Sequence, residues 1–151
     1  MRRLLPFVLC AVAALAACKP KEAMTDAEAQ AAVKALPAPF NTANLDNGKA
    51  IFAQCKSCHT IGNGGSNMTG PNLYDVWGRM AGTKADYSYS DAVKGLGFAW
   101  DADHLNQWLE GPRSFVPGTK MSFVGLTSAQ DRIDVIGYLR TQSDMKPAPA
   151  S

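Results

Sequence analysis

Two cysteines and a histidine stand together in one pentapeptide, Cys55-Lys56-Ser57-Cys58-His59. Two thiols three positions apart, followed at once by an imidazole, are typical of the site where a c-type haem is attached. Each sulfur can add across one vinyl group of the porphyrin to form a thioether. His59 would then lie beneath the iron and supply a neutral nitrogen as an axial ligand. The pentapeptide therefore predicts one covalently bound haem c.

A Cys-x-x-Cys pair also occurs in zinc sites and in thioredoxin-like redox proteins. A zinc site needs a second pair of ligands, and Cys10, Cys18 and His104 offer none at a usual spacing. A thioredoxin-like protein would need a strand before the pair and a βαβ pattern around it, and the sequence has neither. Haem attachment is the interpretation that these observations favour.

The second axial ligand must come from elsewhere in the chain, and the candidates are Met68, Met80, Met121 and His104. Met68 and Met80 follow the motif closely, where filling of a core or loop is the usual role of methionine. His104 falls on the exposed side of a predicted helix, which indicates a solvated histidine. Met121 ends an irregular segment, residues 117–121, that could wrap over the haem, but spacing alone makes it only the best of four. A thioether ligand would raise the reduction potential, which suits an electron carrier.

The elements that must position these residues are predicted to be helical, since no run alternates for long with the period of a strand. Asp46 is expected to cap a first helix that carries Gly48, Ile51 and Phe52 and delivers Cys55 at its end. A glycine inside a helix costs stability, so Gly48 predicts a close approach by another helix.

Three further helices follow in the predicted order. Residues 89–94 form a short helix that ends at Gly95, and another helix begins at its cap Asp101 and stops at Gly111 and Pro112. The last helix begins with the capping box Ser128-x-x-Asp131 and has a broad apolar face that can cross the first helix. That face comprises Ile133, Val135, Ile136, Tyr138 and Leu139. The predicted fold class is all-α.

The N-terminal residues 1–17 have the pattern of a secretory signal peptide: two arginines, a short apolar run and small residues. The apolar run is shorter than the roughly 20 residues that span a bilayer. The sequence Leu15-Ala16-Ala17-Cys18 resembles a bacterial lipobox, which predicts that Cys18 is lipidated. The alternative is ordinary cleavage after Ala16, which would leave a free thiol. We expect a periplasmic protein anchored by lipid, or otherwise a soluble periplasmic one.

Residues 18–44 are rich in Ala, Pro, Lys and Glu and are predicted to be a linker between the lipid and a cytochrome domain at residues 45–143. Thr25 and Glu28 could cap a short helix that runs to Leu36 and is stopped by the following prolines. As flexible coil, the linker would span roughly 25 to 30 Å on average and at most about 90 Å. Residues 144–151 are predicted to be a polar tail.

The charge of the chain excludes one class of partner. Lysine and arginine total 15 against 13 acidic residues, and removal of Arg2 and Arg3 with a signal peptide would leave 13 against 13. A balanced charge gives no basis for nucleic-acid binding.

Residues 46–141 resemble class I cytochrome c of the mitochondrial and alphaproteobacterial type. The resemblance covers about two thirds of the chain and depends on an ordered set of motifs beside CKSCH. These are GPNL at 70–73, WGR at 77–79, YSYSDA at 87–92, Trp100, WLEGP at 108–112, PGTKM at 117–121, Phe123 with Gly125, and IGYL at 136–139. The fold that it implies is the class I cytochrome c fold, in which the N- and C-terminal helices cross around one covalently bound haem.

The resemblance implies roles for individual residues. Met121 would be the distal ligand, and the carbonyl of Pro71 would accept a hydrogen bond from His59. A further group would contact the haem propionates or shield the haem edge. It comprises Arg79, Tyr89, Trp100, Thr119 and Phe123. Gly48, Phe52 and Tyr138 match the packing of the terminal helices.

Two residues depart from the family pattern. Trp108 stands where a tyrosine usually bonds the methionine sulfur, and Val93 stands where an asparagine often joins an internal water network. Both changes make the pocket less polar, so we expect altered tuning of the potential with its sign open. The lysine ring around the haem edge is also thin, which predicts weaker steering toward an acidic partner. The cations that remain are Lys49, Lys56, Lys84, Arg113 and Lys120.

The function that the resemblance implies is that of a monomeric one-electron carrier. It would take electrons from a quinol-oxidising membrane complex and pass them to a terminal oxidase or other acceptor of a periplasmic respiratory chain. The alternatives are the electron-transfer subunit of a periplasmic dehydrogenase and, less favoured, a haem peroxidase.

Overall fold

The structure is a computed structural model that describes residues 24–143. Six α-helices and one turn of 3-10 helix form this part of the chain. They are α1 (Asp26–Lys34), the 3-10 turn (Phe40–Thr42), α2 (Leu45–Phe52), α3 (Asp91–Lys94), α4 (Ala102–Glu110), α5 (Pro112–Phe115) and α6 (Ala129–Thr141). Extended pairing among residues 24–143 is limited to one isolated bridge between Met80 and Ala99. The all-α prediction is confirmed.

Helices α2 and α6 cross at Gly48. A Cβ atom at this position would collide with the carbonyl oxygen of Asp134 and lie 2.9 Å from the Cβ of Tyr138. Beyond the crossing, the rings of Phe52 and Tyr138 pack with their centroids 5.4 Å apart. The predicted close approach at Gly48 is confirmed.

The start of α2 is tied to α6 by polar contacts that the helix pattern does not show. Asn44, not Asp46, is the N-cap, because its side chain accepts a hydrogen bond of 3.0 Å from the backbone of Asn47. The predicted cap at Asp46 is therefore wrong by two residues. The buried carboxylate of Asp134 accepts hydrogen bonds from the backbone of Asn44 at 2.8 Å and from the side chains of Asn47 at 2.7 Å and Gln130 at 2.8 Å.

For helices α3 to α5, the observed ends agree with the predicted caps better than the observed lengths agree with the predicted ones. Helix α3 begins after the cap Ser90, later than expected, and ends at Gly95 as predicted. Asp101 caps α4 through a hydrogen bond of 2.8 Å from the backbone of His104, and α4 ends at Gly111. Pro112 was expected only to stop α4, but it also begins α5, since proline suits the first position of a helix.

Residues 24–44, which we name the N-terminal arm, are part of the packed body. The capping box of Thr25 and Glu28 is confirmed. Along α1, Ala29, Ala32 and Val33 are buried, and α1 and the 3-10 turn both contact α6. A Cβ atom at Gly137 of α6 would collide with that of Ala43 in the arm. The expectation of flexible coil is wrong for this stretch, because its small apolar side chains fill a groove on α6.

The core joins apolar side chains of the arm, α2, α4 and α6 with those of the long loops between them. Its most buried large members are Phe52, Trp77, Val135 and Ile136, each at most 2% exposed. The predicted signal peptide, Cys18 and the polar tail lie outside the described residues. Within residues 24–143, none of the helices has the length and apolar character needed to span a membrane.

Candidate haem site

One cavity of about 320 Å³ lies between α2, α4, α6 and the loops that follow the Cys55 motif. Its lining brings together Cys55, Cys58 and His59 with Met121, which is more than 60 residues away in sequence. Two thiols, an imidazole and a thioether around one largely apolar space are the donor set of a c-type haem. The residues present therefore fit this cofactor.

Tight turns after α2 present the pentapeptide to the cavity. The backbone N–H groups of Cys58 and His59 both donate to the carbonyl of Cys55, at 3.1 and 2.9 Å. This winding continues α2 beyond its last helical residue and turns both sulfurs toward the cavity that they line. Burial and the neighbouring Cys58 raise the pKa of the Cys55 thiol to about 11.

The imidazole of His59 is held by the segment Gly70–Pro71. Its Nδ1 lies 2.7 Å from the carbonyl oxygen of Pro71, so the protonated Nδ1 donates and Nε2 keeps its lone pair for a metal. Burial lowers the pKa of His59, and the bond to Pro71 opposes that shift. A Cβ atom at Gly70 would lie 2.6 Å from Nδ1 and 2.7 Å from Nε2, so only glycine leaves room for the ring.

Asn72 lies between the lining residues Pro71 and Leu73 and supports the site from outside the cavity lining, a role that the motifs do not predict. It is 2% exposed, and its side-chain amide donates to Thr60 Oγ1 at 2.7 Å and to the carbonyl of Gly62 at 3.0 Å. Its Oδ1 accepts from the backbone of Tyr74 at 3.0 Å. Asn72 thus connects the loop that follows His59 to the segment that carries Pro71. The sequence feature that could have indicated this role is the position of Asn72 in the GPNL motif. The motif by itself does not distinguish a buried amide from an exposed turn residue.

The predicted propionate contacts Arg79, Tyr89 and Trp100 all line the cavity. Arg79 donates to the carbonyl of Tyr74 at 3.0 Å, and burial lowers the pKa of its guanidinium. Burial raises the pKa of Tyr89, and the charge of Arg79 opposes that rise. The described lining residues include Arg79 and Lys120 but no aspartate or glutamate. A site with cations and no carboxylates of its own suits a ligand that brings anionic groups.

Met121 lies in the loop between α5 and α6, residues 116–128, which we name the Met121 loop. Its backbone N–H donates to Thr119 Oγ1 at 3.2 Å, and its carbonyl accepts from Arg113 Nε at 3.4 Å. Lys120 donates to the carbonyl of Ser88 across the cavity mouth at 3.0 Å. Thr119 and Phe123 also line the cavity.

The other three ligand candidates lie outside the cavity lining. Met68 and Met80 lie in loops and are 48% and 46% exposed, so of the expected core or loop positions they occupy loop positions. His104 is half-buried instead of solvated, because its ring stacks on Phe98 with centroids 3.8 Å apart. Its Nδ1 lies 2.8 Å from Oδ1 of Asp101, which gives the histidine a structural partner.

The two departures from the family pattern both face the cavity. Val93 is 5% exposed, and Trp108 packs edge-on against Trp100 with centroids 5.3 Å apart. Both side chains are among the lining residues. The tryptophan pair therefore gives this pocket a large aromatic surface where a smaller phenol is usual.

Comparison with known proteins agrees with this geometry. The family described as "Cytochrome c" matches residues 45–143. The chain is 47% identical over 117 residues to a "Cytochrome c homolog" of Rickettsia felis, an alignment that covers 78% of this chain and 66% of that protein. It is also 47% identical over 95 residues to a "Cytochrome c2" of Rhodomicrobium vannielii, covering 63% of this chain and 76% of the relative.

Among solved structures, the chain is similar to cytochrome cH from Methylobacterium extorquens, with 43% identity and a TM-score of 0.61 over 65% of this chain and 98% of that one. The fold, the cavity and the family match concern the same residues. The chain therefore belongs to the cytochrome c family, whose members are electron-transfer proteins that bind haem c covalently.

Proposed function

We propose that this protein carries one electron at a time in a periplasmic respiratory chain, from a quinol-oxidising cytochrome complex to a terminal oxidase or other acceptor. The observation that carries the proposal is the presence of His59 and Met121 in the lining of one largely apolar cavity. A haem held there by these two residues would supply the one-electron chemistry of ferric and ferrous iron.

The chain's own residues hold and insulate the cofactor in this proposal. Cys55 and Cys58 would form the two thioethers, and His59 and Met121 would supply the iron ligands. Arg79, Tyr89, Trp100 and Thr119 would bind the propionates, which accounts for their place in a cavity whose described lining holds no carboxylate. Apolar and aromatic side chains exclude water, which keeps the reorganisation on electron transfer small.

The surface around Met121 suits brief docking. Lys120 and Arg113 bring positive charge to the loop, and Val124, three residues after Met121, is 91% exposed. Small patches that combine a few charges with apolar contact favour rapid exchange of partners over tight binding. The partners are membrane respiratory complexes, and the protein acts as a monomer.

A lipid on Cys18 would hold this domain close to the membrane. Helix α1 of the N-terminal arm begins at Asp26, eight positions after Cys18. Fully extended, a chain of that length reaches at most about 29 Å, far less than the whole predicted linker. The consequence is a domain with a small search volume and a high local concentration near its partners.

Ligand binding tests the carrier proposal. Native ferric protein at neutral pH should bind cyanide slowly, and ferrous protein should bind carbon monoxide slowly, because Met121 must leave first. Met121→Ala should bind both quickly, whereas Met80→Ala, which removes an exposed methionine outside the cavity, should behave as the wild type. Fast binding by the native protein would favour a haem peroxidase and contradict the carrier.

The anchor and the partners need separate measurements. The intact mass of membrane and soluble fractions reports signal removal, haem and lipid together, and a membrane form that begins at Cys18 with acyl mass supports the anchor. Copurification of a stoichiometric periplasmic dehydrogenase would instead make the protein a subunit of that enzyme. A soluble haem protein without lipid would leave the electron carrier in place and remove the anchor.

A further inference from the structure

Arg132, on α6, is a buried cation that lies outside the cavity lining. The residue is 7% exposed, and burial of a charge is costly unless hydrogen bonds compensate it. Its guanidinium contacts two other parts of the molecule, helix α4 and the end of the Met121 loop. The donors of Arg132 therefore bond the end of the Met121 loop and do not line the cavity.

The contacts of Arg132 are charge-assisted hydrogen bonds to the chain just before α6 and to a side chain of α4. Nη1 donates to the carbonyl of Leu126 at 2.6 Å and to that of Thr127 at 3.2 Å, and Nε donates to Asn106 Oδ1 at 2.8 Å. Nη2 lies 3.5 Å from the exposed carboxylate of Glu110. Donors with a positive charge form bonds about twice as strong as neutral ones.

Two backbone features hold the same end of the loop on α4. The backbone N–H of Leu126 donates to the carbonyl of Leu109 at 2.7 Å. Gly125 has φ 103°, and a Cβ atom there would collide with the carbonyl oxygen of Glu110. The positions of residues 125–127 are therefore defined by direct backbone contact and by the guanidinium.

The rest of the loop is held less firmly. Arg113 bonds the carbonyl of Met121, and Lys120 bonds the carbonyl of Ser88; both side-chain hydrogen bonds are exposed. From Met121 to Gly125 the chain can extend by at most about 14 Å. The fixed end at Gly125 therefore limits how far Met121 can move from the cavity.

We propose that Arg132 is a positioning residue for Met121: it holds residues 126 and 127 on α4 and thereby keeps the thioether in the cavity. The proposal rests on the proposed role of Met121 as the distal ligand. Loss of the guanidinium should free the end of the loop, so that Met121 leaves its place more often while the thioethers and His59 retain the haem.

The test is the affinity of the ferric holoprotein for imidazole, measured far below the denaturant concentration that unfolds each variant. Arg132→Gln should raise this affinity about tenfold, since a hydrogen bond from a charged donor contributes on the order of one power of ten. Arg132→Lys keeps the charge but cannot reach all three acceptors, and should raise it about threefold. Hydrogen exchange at the Leu126 amide should quicken in the same order.

Two control variants separate positioning from general stability. Val33→Ala removes packing between the N-terminal arm and α6, where Val33 is 1% exposed, and should lower the unfolding midpoint without changing imidazole affinity. Glu110→Gln removes only the exposed ion pair and should change little.

An imidazole affinity in Arg132→Lys equal to that of the wild type, whether or not Arg132→Gln folds, overturns the proposal. An equal rise in Val33→Ala also overturns it, because the effect would then follow global stability. Met121→Ala distinguishes the two levels of inference. If Met121→Ala leaves imidazole binding unchanged, the ligand assignment itself is wrong; if it binds tightly and Arg132→Lys does not, only the positioning role fails.

Discussion

The two segments that bring the proposed iron ligands to the cavity are held in different ways. Around His59, backbone groups bond one another directly: Gly70 donates to the carbonyl of Cys58, and Leu73 to that of Thr60, both at 2.8 Å. Within the described residues, the Met121 loop has no such backbone pair between Lys120 and Gly125. It depends on side chains and on its clamped end at residues 125–127.

This difference has a consequence for dynamics. Short hydrogen bonds between backbone groups of a packed segment break only when the surrounding structure opens, whereas exposed side-chain contacts break independently. We therefore expect the Met121 loop to open locally while the segment around His59 remains closed. An electron carrier tolerates such opening, since the thioethers keep the haem in place.

Gly70→Ala should disrupt the segment that holds His59, and we expect it to have the largest effect of these variants. The added Cβ would need the space of the His59 ring, so either the imidazole leaves the iron or the Gly70–Pro71 backbone shifts. We expect a loss of about 3 kcal/mol in the free energy of unfolding, together with an altered haem spectrum. Gly62→Ala is the matched control, because a Cβ atom there meets nothing within 4 Å. A normal spectrum in Gly70→Ala would contradict the tight fit.

Gly125→Ala should break the clamped end of the Met121 loop and cost about 2 to 3 kcal/mol, from the collision with Glu110 and the positive φ. Imidazole should then displace Met121 readily while His59 stays bound. Gly64→Ala has a positive φ without any contact and controls for backbone strain alone. If Gly64→Ala increased imidazole binding equally, the collision would not be the cause.

Asn72→Ala should cost about 2 kcal/mol, because it removes a buried side chain that bonds Thr60 Oγ1, the carbonyl of Gly62 and the backbone of Tyr74. Denaturant unfolding measures the loss. Imidazole affinity at low denaturant should change little, since the Met121 loop is untouched. Asn63→Ala, an exposed residue of the same loop, should lie within about 0.5 kcal/mol of the wild type.

Lys120→Ala should have the smallest effect on stability, below about 1 kcal/mol, because its bond to Ser88 is exposed. It should nevertheless raise imidazole affinity about threefold, since that bond helps to close the mouth of the cavity. Lys94→Ala removes another exposed lysine, paired with Asp91 on α3, and should leave imidazole affinity unchanged. Equal effects of the two variants on imidazole affinity would mean that the loss of positive charge, and not the loss of the Lys120–Ser88 hydrogen bond, controls access to the cavity.

Much of the local structure was predictable because short-range hydrogen bonds define it. The caps Thr25, Asp101 and Ser128 and the stops Gly95 and Gly111 are all as expected. The cap of α2 was not, because Asn44 and Asp46 are both good capping residues and the choice depends on Asp134 of α6, which bonds the backbone of Asn44. The packing of the N-terminal arm was not predictable, because its small apolar side chains become buried only when the arm packs on α6, as Ala43 does against Gly137.

The sequence by itself determined the haem motif, the helical class and most of the helix ends, since these depend on residues within a few positions of one another. Only the tertiary structure decided which methionine shares a cavity with His59, why position 70 must lack a Cβ atom, and what Asn72 and Arg132 bond. Most of those contacts join separate helices and loops. Whether a polar side chain there is buried and bonded, or exposed, depends on how the helices pack, and periodicity along the sequence does not encode that.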